Sequence, residues 1–137
     1  MLTTKTKIRV RYAETDKMNF VYYGNYAQYY EIGRTEMLRQ LGFTYRSLEE
    51  KGIILPVLTL NVKYIKSASY DDLLTIKTSI KELPKVRIKF DYEIYNEKNE
   101  LINKGNSTLV FIDIKKNRPV TAPDFFIKII SKYFNIK

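Results

Sequence analysis

Few residues of this chain can do chemistry. It has no Cys and no His. That removes disulfides, thiolate nucleophiles and thiolate metal sites, along with the commonest acid–base group and metal ligand. Any reaction falls to carboxylates, hydroxyls, amides and backbone dipoles. The stretch that gathers such groups runs from Ala13 to Leu41, where Asp16 stands on a loop feeding a helix that begins near Asn25. Gly24 and Asn25 suit a helix entry, since Asn caps orphan amides and Gly adopts unusual dihedrals. The amides around Tyr23 and Gly24 then lie at a helix N-terminus, where unpaired N–H groups and the macrodipole favour negative charge. A carbonyl under attack finds an oxyanion site there. A carboxylate a few residues upstream adds a nucleophile or general base. The spacing also fits a plain turn residue or cap at Asp16.

So sparse a site suits some carbonyls better than others. Amide hydrolysis needs a strong acid for the departing amine, and no imidazole is present to shuttle that proton. A thioester leaves as a thiolate whose thiol resembles Cys, with a pKa of about 8.5. One carboxylate and one oxyanion site can then suffice. The biological thioester carrier, coenzyme A, is a polyphosphate and suits a chain with a net charge of +9. The same charge fits nucleic acid, an acidic membrane surface, or simply solvated lysines.

The elements that must position these groups follow from periodicity. Tyr26, Tyr30, Gly33, Met37 and Leu41 recur at helical spacing, which predicts a buried helix of about 25 Å ended by Gly42. Gly33 in its middle implies a close backbone approach. Ile8–Tyr12 reads as a short strand and Tyr45–Lys51 as further helical turns. Four long alternating strands are expected around 58–64, 73–81, 86–95 and 101–114, with Pro56 confining the first to an edge or an entrance and Gly105 marking a bulge. Asn96–Glu100 is a polar hairpin loop. Pro123 opens a final helix to about Phe134. Short polar turns between successive strands imply antiparallel pairing. The expectation is one α+β domain over residues 1–137, a curled sheet around one helix, whose free edge invites a second copy. The N-terminus lacks an apolar leader, and no apolar run approaches the ~20 residues of a membrane span, so a soluble, cytoplasmic protein is expected.

The segment from Val10 to Glu36 closely resembles hotdog-fold acyl-CoA thioesterases of the 4-hydroxybenzoyl-CoA thioesterase family, in particular the tol-pal-associated branch. Tyr12, the Thr15-Asp16 pair, V-Y-Y-G-N-Y (Val21–Tyr26) and E-I-G-R-T-E (Glu31–Glu36) carry the resemblance. It continues through L-N-V-K-Y (Leu60–Tyr64), A-S-Y-D-D (Ala68–Asp72) and R-P-V at Arg118. It implies a hotdog fold and hydrolysis of short- or medium-chain or aryl acyl-CoA. Asp16 would be the catalytic carboxylate, and the Tyr23 amide, with that of Gly24, would polarise the carbonyl. Tyr12, on the first strand, would be an orienting hydroxyl or a packing residue. Many relatives carry His at the place of Tyr23 and Gly at that of Asn19; Tyr occurs as well, and Asn tolerates left-handed dihedrals.

Lys85, Arg87 and Lys89 share a strand face, which the resemblance places near the nucleotide of coenzyme A. Thr59 and Asn61 would approach Asp16 of the partner subunit in a homodimer or tetramer. Glu31 could assist water, but reads better as a solvated or Arg34-paired acid. No cofactor or metal is implied, coenzyme A being part of the substrate. Two other readings stand beside this one: a thioesterase acting on acyl carrier protein, and a non-catalytic, basic single-stranded nucleic-acid binder. A hotdog dehydratase would need a His that is absent.

Overall fold

In the computed structural model of the protein, which describes residues 1–134, the tyrosine-spaced segment is α1, Tyr26–Gln40. Tyr29, Tyr30, Met37 and Leu38 on its inner side are at most 1% exposed. Burying a large apolar side chain this fully stabilises by about 1.5–3 kcal/mol. Gly33 is the point of closest approach to the sheet. A Cβ there would come within 2.4 Å of Thr78 Oγ1 and 2.9 Å of Ile76 Cγ2. Gly42 ends the helix at φ 93°, and the Gly42 and Phe43 amides close on the Arg39 and Leu38 carbonyls at 3.0 and 2.8 Å, which satisfies carbonyls of the last turn.

Five strands wrap this helix: β1 (Leu2–Arg9), β3 (Val57–Tyr64), β4 (Leu73–Ile80), β5 (Arg87–Tyr95) and β6 (Leu101–Val110). Their order is β1-β4-β5-β6-β3, antiparallel throughout. Of the four long strands, β4, β5 and β6 are neighbours in chain order, as expected, and β3 is not. β3 lies at the far edge against β6, and residues 65–72 carry the chain across to β4. Alternation sets which face a residue takes, but not which strand it pairs with.

Several boundaries move from their expected places. β1 starts at Leu2 rather than Ile8 and ends at Arg9, so Tyr12 is off the strand. Its Thr and Lys residues suit the other edge of the sheet. Gly105 is not a bulge. It pairs in register with Val62 and Tyr92, and the register shifts fall at Ile94/Tyr95 and Val57/Thr59. Its missing side chain makes room for Tyr30: a Cβ would come within 2.6 Å of Tyr30 Oη and 2.2 Å of the Asn61 carbonyl oxygen. The remaining elements are α2 (Tyr45–Glu50), capped by Thr44 and Ser47, and a small sheet of β2 (Ile53–Ile54), β7 (Ile112–Asp113) and β8 (Arg118–Pro119). α3 spans Asp124–Ile130 and gives way to a 3-10 turn at Ser131–Tyr133.

The two faces of the large sheet differ in chemistry. Ile76, Phe90, Tyr92, Ile94 and Leu109 face α1 and are at most 1% exposed. The outer face carries a cross-strand row Lys5–Lys77–Glu93–Lys104–Lys63. A curled antiparallel sheet around one long helix, left open at β1 and β3, is the α+β hotdog fold.

Candidate active site

Asp16 lies near the tip of a small hairpin in front of α1. Thr15 bridges to Val21, the Tyr22 amide donates to the Glu14 carbonyl at 2.9 Å, and the Asp16 amide donates to the Phe20 carbonyl at 2.9 Å. Asn19 turns the tip at φ 69°, a dihedral that Asn tolerates better than most residues. Asp16 Oδ1 accepts the Met18 amide at 2.8 Å and the Phe20 amide at 3.4 Å. Oδ2 has no hydrogen bond among the described residues, so one oxygen holds the turn and the other is left to act.

The hairpin is laced to the crossover between β3 and β4. The Val21 amide donates to the Ala68 carbonyl at 2.8 Å, Phe20 bridges Ser69, and the Ser69 amide donates to Asp72 Oδ2 at 2.8 Å. Asp71 and Asp72 also exchange backbone bonds with Val10. The A-S-Y-D-D segment is thus the fixture that holds the Asp16 hairpin at the helix start.

The hairpin returns directly into the helix. Tyr23–Asn25 form a 3-10 turn continuous with α1. Neither the Tyr23 nor the Gly24 amide has a hydrogen-bond partner among the described residues. Glu14 stands opposite Tyr22 and Asp16 opposite Phe20, so two strand residues, about 7 Å, separate Asp16 from the level of the helix start. A carboxylate oxygen and two vacant donors therefore share one end of the fold. That pairing can stabilise an oxyanion and supply a nucleophile or base beside it.

Asn25 does not cap the helix. Its dihedrals are helical and its Nδ2 donates to the Glu14 carbonyl at 2.8 Å. Glu14 is the acid that the sequence reading passed over. It is 7% exposed. Its Oε1 accepts the Arg11 amide at 2.8 Å and the Tyr29 hydroxyl at 3.1 Å, and its Oε2 accepts Arg11 Nε and Nη2 at 3.2 Å. Burial, reinforced by Glu14, raises the Tyr29 hydroxyl pKa, so the phenol stays a neutral donor. The available signal was Arg11 three residues before Glu14, ahead of a helix with Tyr29 on its buried side.

The other expected site residues divide. Tyr23 is 63% exposed, and its carbonyl accepts the Tyr64 hydroxyl at 3.2 Å. Tyr12 opens a 3-10 turn instead of lying on a strand. It is 78% exposed, its ring meets Tyr70 edge-on at 5.8 Å, and its hydroxyl makes no hydrogen bond among the described residues. Asn61 faces away from the helix, with Nδ2 on Asn106 Oδ1 at 3.1 Å, in a shallow outer cleft of about 450 Å3 shared with Lys63 and Lys104. Thr59 alternates onto that same outer face. The sheet separates both from Asp16 of their own chain.

Arg87 and Lys89 are exposed at the start of β5, and Lys85 precedes that strand. Arg87 pairs with Val110, whereas Ile94 lies at the level of Asn103 and Tyr64; seven strand residues, roughly 23 Å, lie between. One chain does not bring these cations to Asp16. Glu31 is exposed and Glu36 pairs with Arg39 at 3.4 Å. Arg34 is buried, donating to the Tyr45 and Tyr92 hydroxyls at 3.1 Å each, so it is not a partner of Glu31. Burial opposes its charge, and the two phenols outweigh that effect.

This fold and this helix-start site define a hotdog thioester hydrolase. A family profile described as thioesterase superfamily matches residues 18–103, and the chain belongs to that family. It is 37% identical over 120 residues to the putative acyl-CoA thioesterase YneP of Bacillus subtilis, covering 88% of this chain and 87% of that one. It is 34% identical over 116 residues to the acyl-CoA thioester hydrolase YbgC of Escherichia coli O157:H7, covering 85% and 87%. The crystal structure of DHNA-CoA thioesterase from Staphylococcus aureus superposes with a TM-score of 0.87 at 36% identity, covering 100% of this chain and 98% of that one.

Proposed function

We propose that the chain hydrolyses acyl-CoA thioesters of short, medium or aryl acyl groups to the free acid and coenzyme A. The Tyr23 and Gly24 amides receive the carbonyl oxygen as it gains negative charge. Asp16 Oδ2 either attacks the carbonyl carbon directly or takes the proton from an attacking water. In both routes the carbon–sulfur bond breaks and the thiolate departs, needing little protonation near neutral pH. No cofactor enters either route. The observation that carries this reading is the pair of unpartnered helix-start amides one hairpin step from a free carboxylate oxygen.

Replacing Asp16 by Asn tests it. Release of free thiol from a panel of acyl-CoA substrates should fall at least a hundredfold, with the melting temperature and substrate binding retained. Wild-type turnover in the variant would remove Asp16 from the mechanism. Label entering the Asp16 carboxylate during single-turnover hydrolysis in oxygen-18 water would establish the covalent route, since only a covalent acyl intermediate can deliver it there.

We also propose that two copies pair along β3. Val57, Leu58, Leu60 and Tyr64 on this strand are 43–52% exposed, an apolar edge of the kind that recruits another strand. Such pairing would bring the cations at the start of β5, and Thr59 and Asn61, toward the second copy's site.

A carrier-protein thioester is the second substrate reading, favoured by the lysine-rich outer face. Comparing the same acyl group on coenzyme A and on acyl carrier protein decides between them. A nucleic-acid platform would interleave aromatics with cations. Here five exposed tyrosines, Tyr12, Tyr22, Tyr23, Tyr64 and Tyr70, gather at the Asp16 end, and Tyr133 alone stands elsewhere, beside Lys132. No helix among the described residues is long and apolar enough to cross a membrane.

A further inference from the structure

Two buried side-chain polar groups among the described residues lack a hydrogen-bond partner, Thr78 Oγ1 and Asn103 Nδ2. They sit in different settings. Thr78 is pressed against the helix backbone at Gly33, with no open face near it. Asn103 is 1% exposed on the inner face of β6, next to the candidate site. Its direct partner on β3 is Tyr64, 52% exposed, whose hydroxyl rests on the carbonyl of Tyr23. One exposed edge-strand side chain therefore stands between the unpartnered amide and the residue whose own amide is the proposed oxyanion donor.

The amide is held in a defined orientation. The Tyr30 hydroxyl donates to Asn103 Oδ1, and the Tyr30 ring is stacked on Tyr92 at 4.2 Å with 5° between planes. Burial, then the neighbouring tyrosines, raises the Tyr30 pKa, which keeps that phenol protonated and a donor. Asn103 is thereby left with its acceptor used and its two N–H donors free. Tyr30 follows Tyr23 by seven helical residues, about 10 Å of axis. Its side chain leans back toward the helix start, so the amide lies within the reach of one aromatic ring or a short acyl chain seated at Tyr23.

A buried donor without a partner is rare in native proteins, because the group has given up its hydration and received nothing in return. A ligand that supplies the acceptor recovers that loss, and one that lacks the acceptor does not. Sites built this way discriminate far more strongly than apolar pockets do.

We propose that Asn103 Nδ2 is a specificity-determining donor that receives an oxygen acceptor carried by the acyl group, such as a ring hydroxyl of an aryl thioester, once Tyr64 swings off the Tyr23 carbonyl. This rests on the acyl-CoA hydrolase reading and names the acyl class that site takes.

The test compares kcat/KM for benzoyl-CoA, 3-hydroxybenzoyl-CoA and 4-hydroxybenzoyl-CoA in wild type and in Asn103→Leu. The wild type should favour one hydroxylated substrate by about tenfold or more. In the variant that ratio should collapse toward one, with benzoyl-CoA turnover within about threefold of wild type and a modestly lower melting temperature, because the buried Tyr30 hydroxyl loses its acceptor. Tyr30→Phe releases the amide from its anchor and should lower the same ratio in part, which keeps a readout if the Leu variant folds poorly. A ratio near one in the wild type, or one unchanged in both variants, overturns the proposal while benzoyl-CoA turnover leaves the hydrolase reading standing. A wild type inert toward all three substrates but active on short- or medium-chain acyl-CoA overturns this proposal alone, and one inert toward the whole acyl-CoA panel overturns both.

Discussion

β5 and β3 carry the same written pattern and meet opposite fates. In β5, Ile88, Phe90, Tyr92 and Ile94 alternate with polar residues and are at most 1% exposed. In β3, Leu60 and Tyr64 alternate with Asn61 and Lys63, yet they stay 43% and 52% exposed. The difference is position, not composition. β5 is the central strand and lies under α1, whereas β3 has β6 on one side and no strand on the other among the described residues. Apolar alternation sets a strand's faces. Whether the apolar face is covered depends on what lies beyond its edge. The candidate site stands where that cover is missing, since Tyr64 of β3 holds the Tyr23 carbonyl.

The largest expected contrast comes from truncating one apolar residue on each strand. Phe90→Ala should lower the unfolding free energy by about 3–5 kcal/mol, as core Phe truncations do. Leu60→Ala should cost a single chain under about 1 kcal/mol because its side chain is already half exposed. It should instead weaken association, seen as a lower sedimentation coefficient and a lower melting temperature at dilute concentration. Equal losses of stability with no change in association would mean that β3 is not an interface.

The same contrast explains what could be read in the residues and what could not. The helix over Tyr26–Gln40 and the faces of the long strands were legible because a period of 3.6 or 2 is written along one segment. The end of the helix at Gly42 and the close approach at Gly33 followed from what glycine permits. The place of β3 was not legible, because it pairs with β6, 39 to 52 residues away, and nothing in its alternation specifies that partner. Gly105 misled for the same reason. A glycine in a strand fits either a bulge or a close approach, and only the packing of Tyr30 decides. Of the site, Asp16, Tyr23 and Gly24 lie together at the helix start. Tyr12 left its expected strand because β1 ends where Val10 turns to bond Asp71 and Asp72. Glu14 and Asn103 were missed because their roles come from neighbours distant in sequence, Tyr29 for one and Tyr30 and Tyr64 for the other.

A gentler probe acts on the outer side of the edge. Lys63 stands directly opposite Lys104, and like charges in that position destabilise the pairing. Lys63→Glu should convert the pair to an attractive one and raise stability by roughly 0.2–1 kcal/mol. The gain should be read by chemical denaturation at low ionic strength and shrink as salt is added. A loss of stability would mean that the lysine row is matched by something other than its cross-strand neighbours.

The smallest effect concerns how the end of β3 is fastened to β6. The Ile65 and Lys66 amides both bond the Ile102 carbonyl, and the Lys66 ammonium meets the Glu100 carboxylate, which also accepts from Asn96. The Lys66 hydrogen bond, then that of Asn96, holds the Glu100 carboxyl below its ordinary value. A depressed carboxylate pKa stabilises the fold above the unfolded-state value and loses that contribution as pH falls through the folded-state value. Glu100→Gln should therefore melt slightly below wild type at neutral pH, and the gap should close as pH drops below the usual carboxylate range. Because the pair is exposed to solvent, added salt should narrow the gap as well. A gap that widened in acid would show that Glu100 acts through its backbone turn rather than its charge, and residues 65–66 beyond the ladder would then be tethered by the Ile102 carbonyl alone.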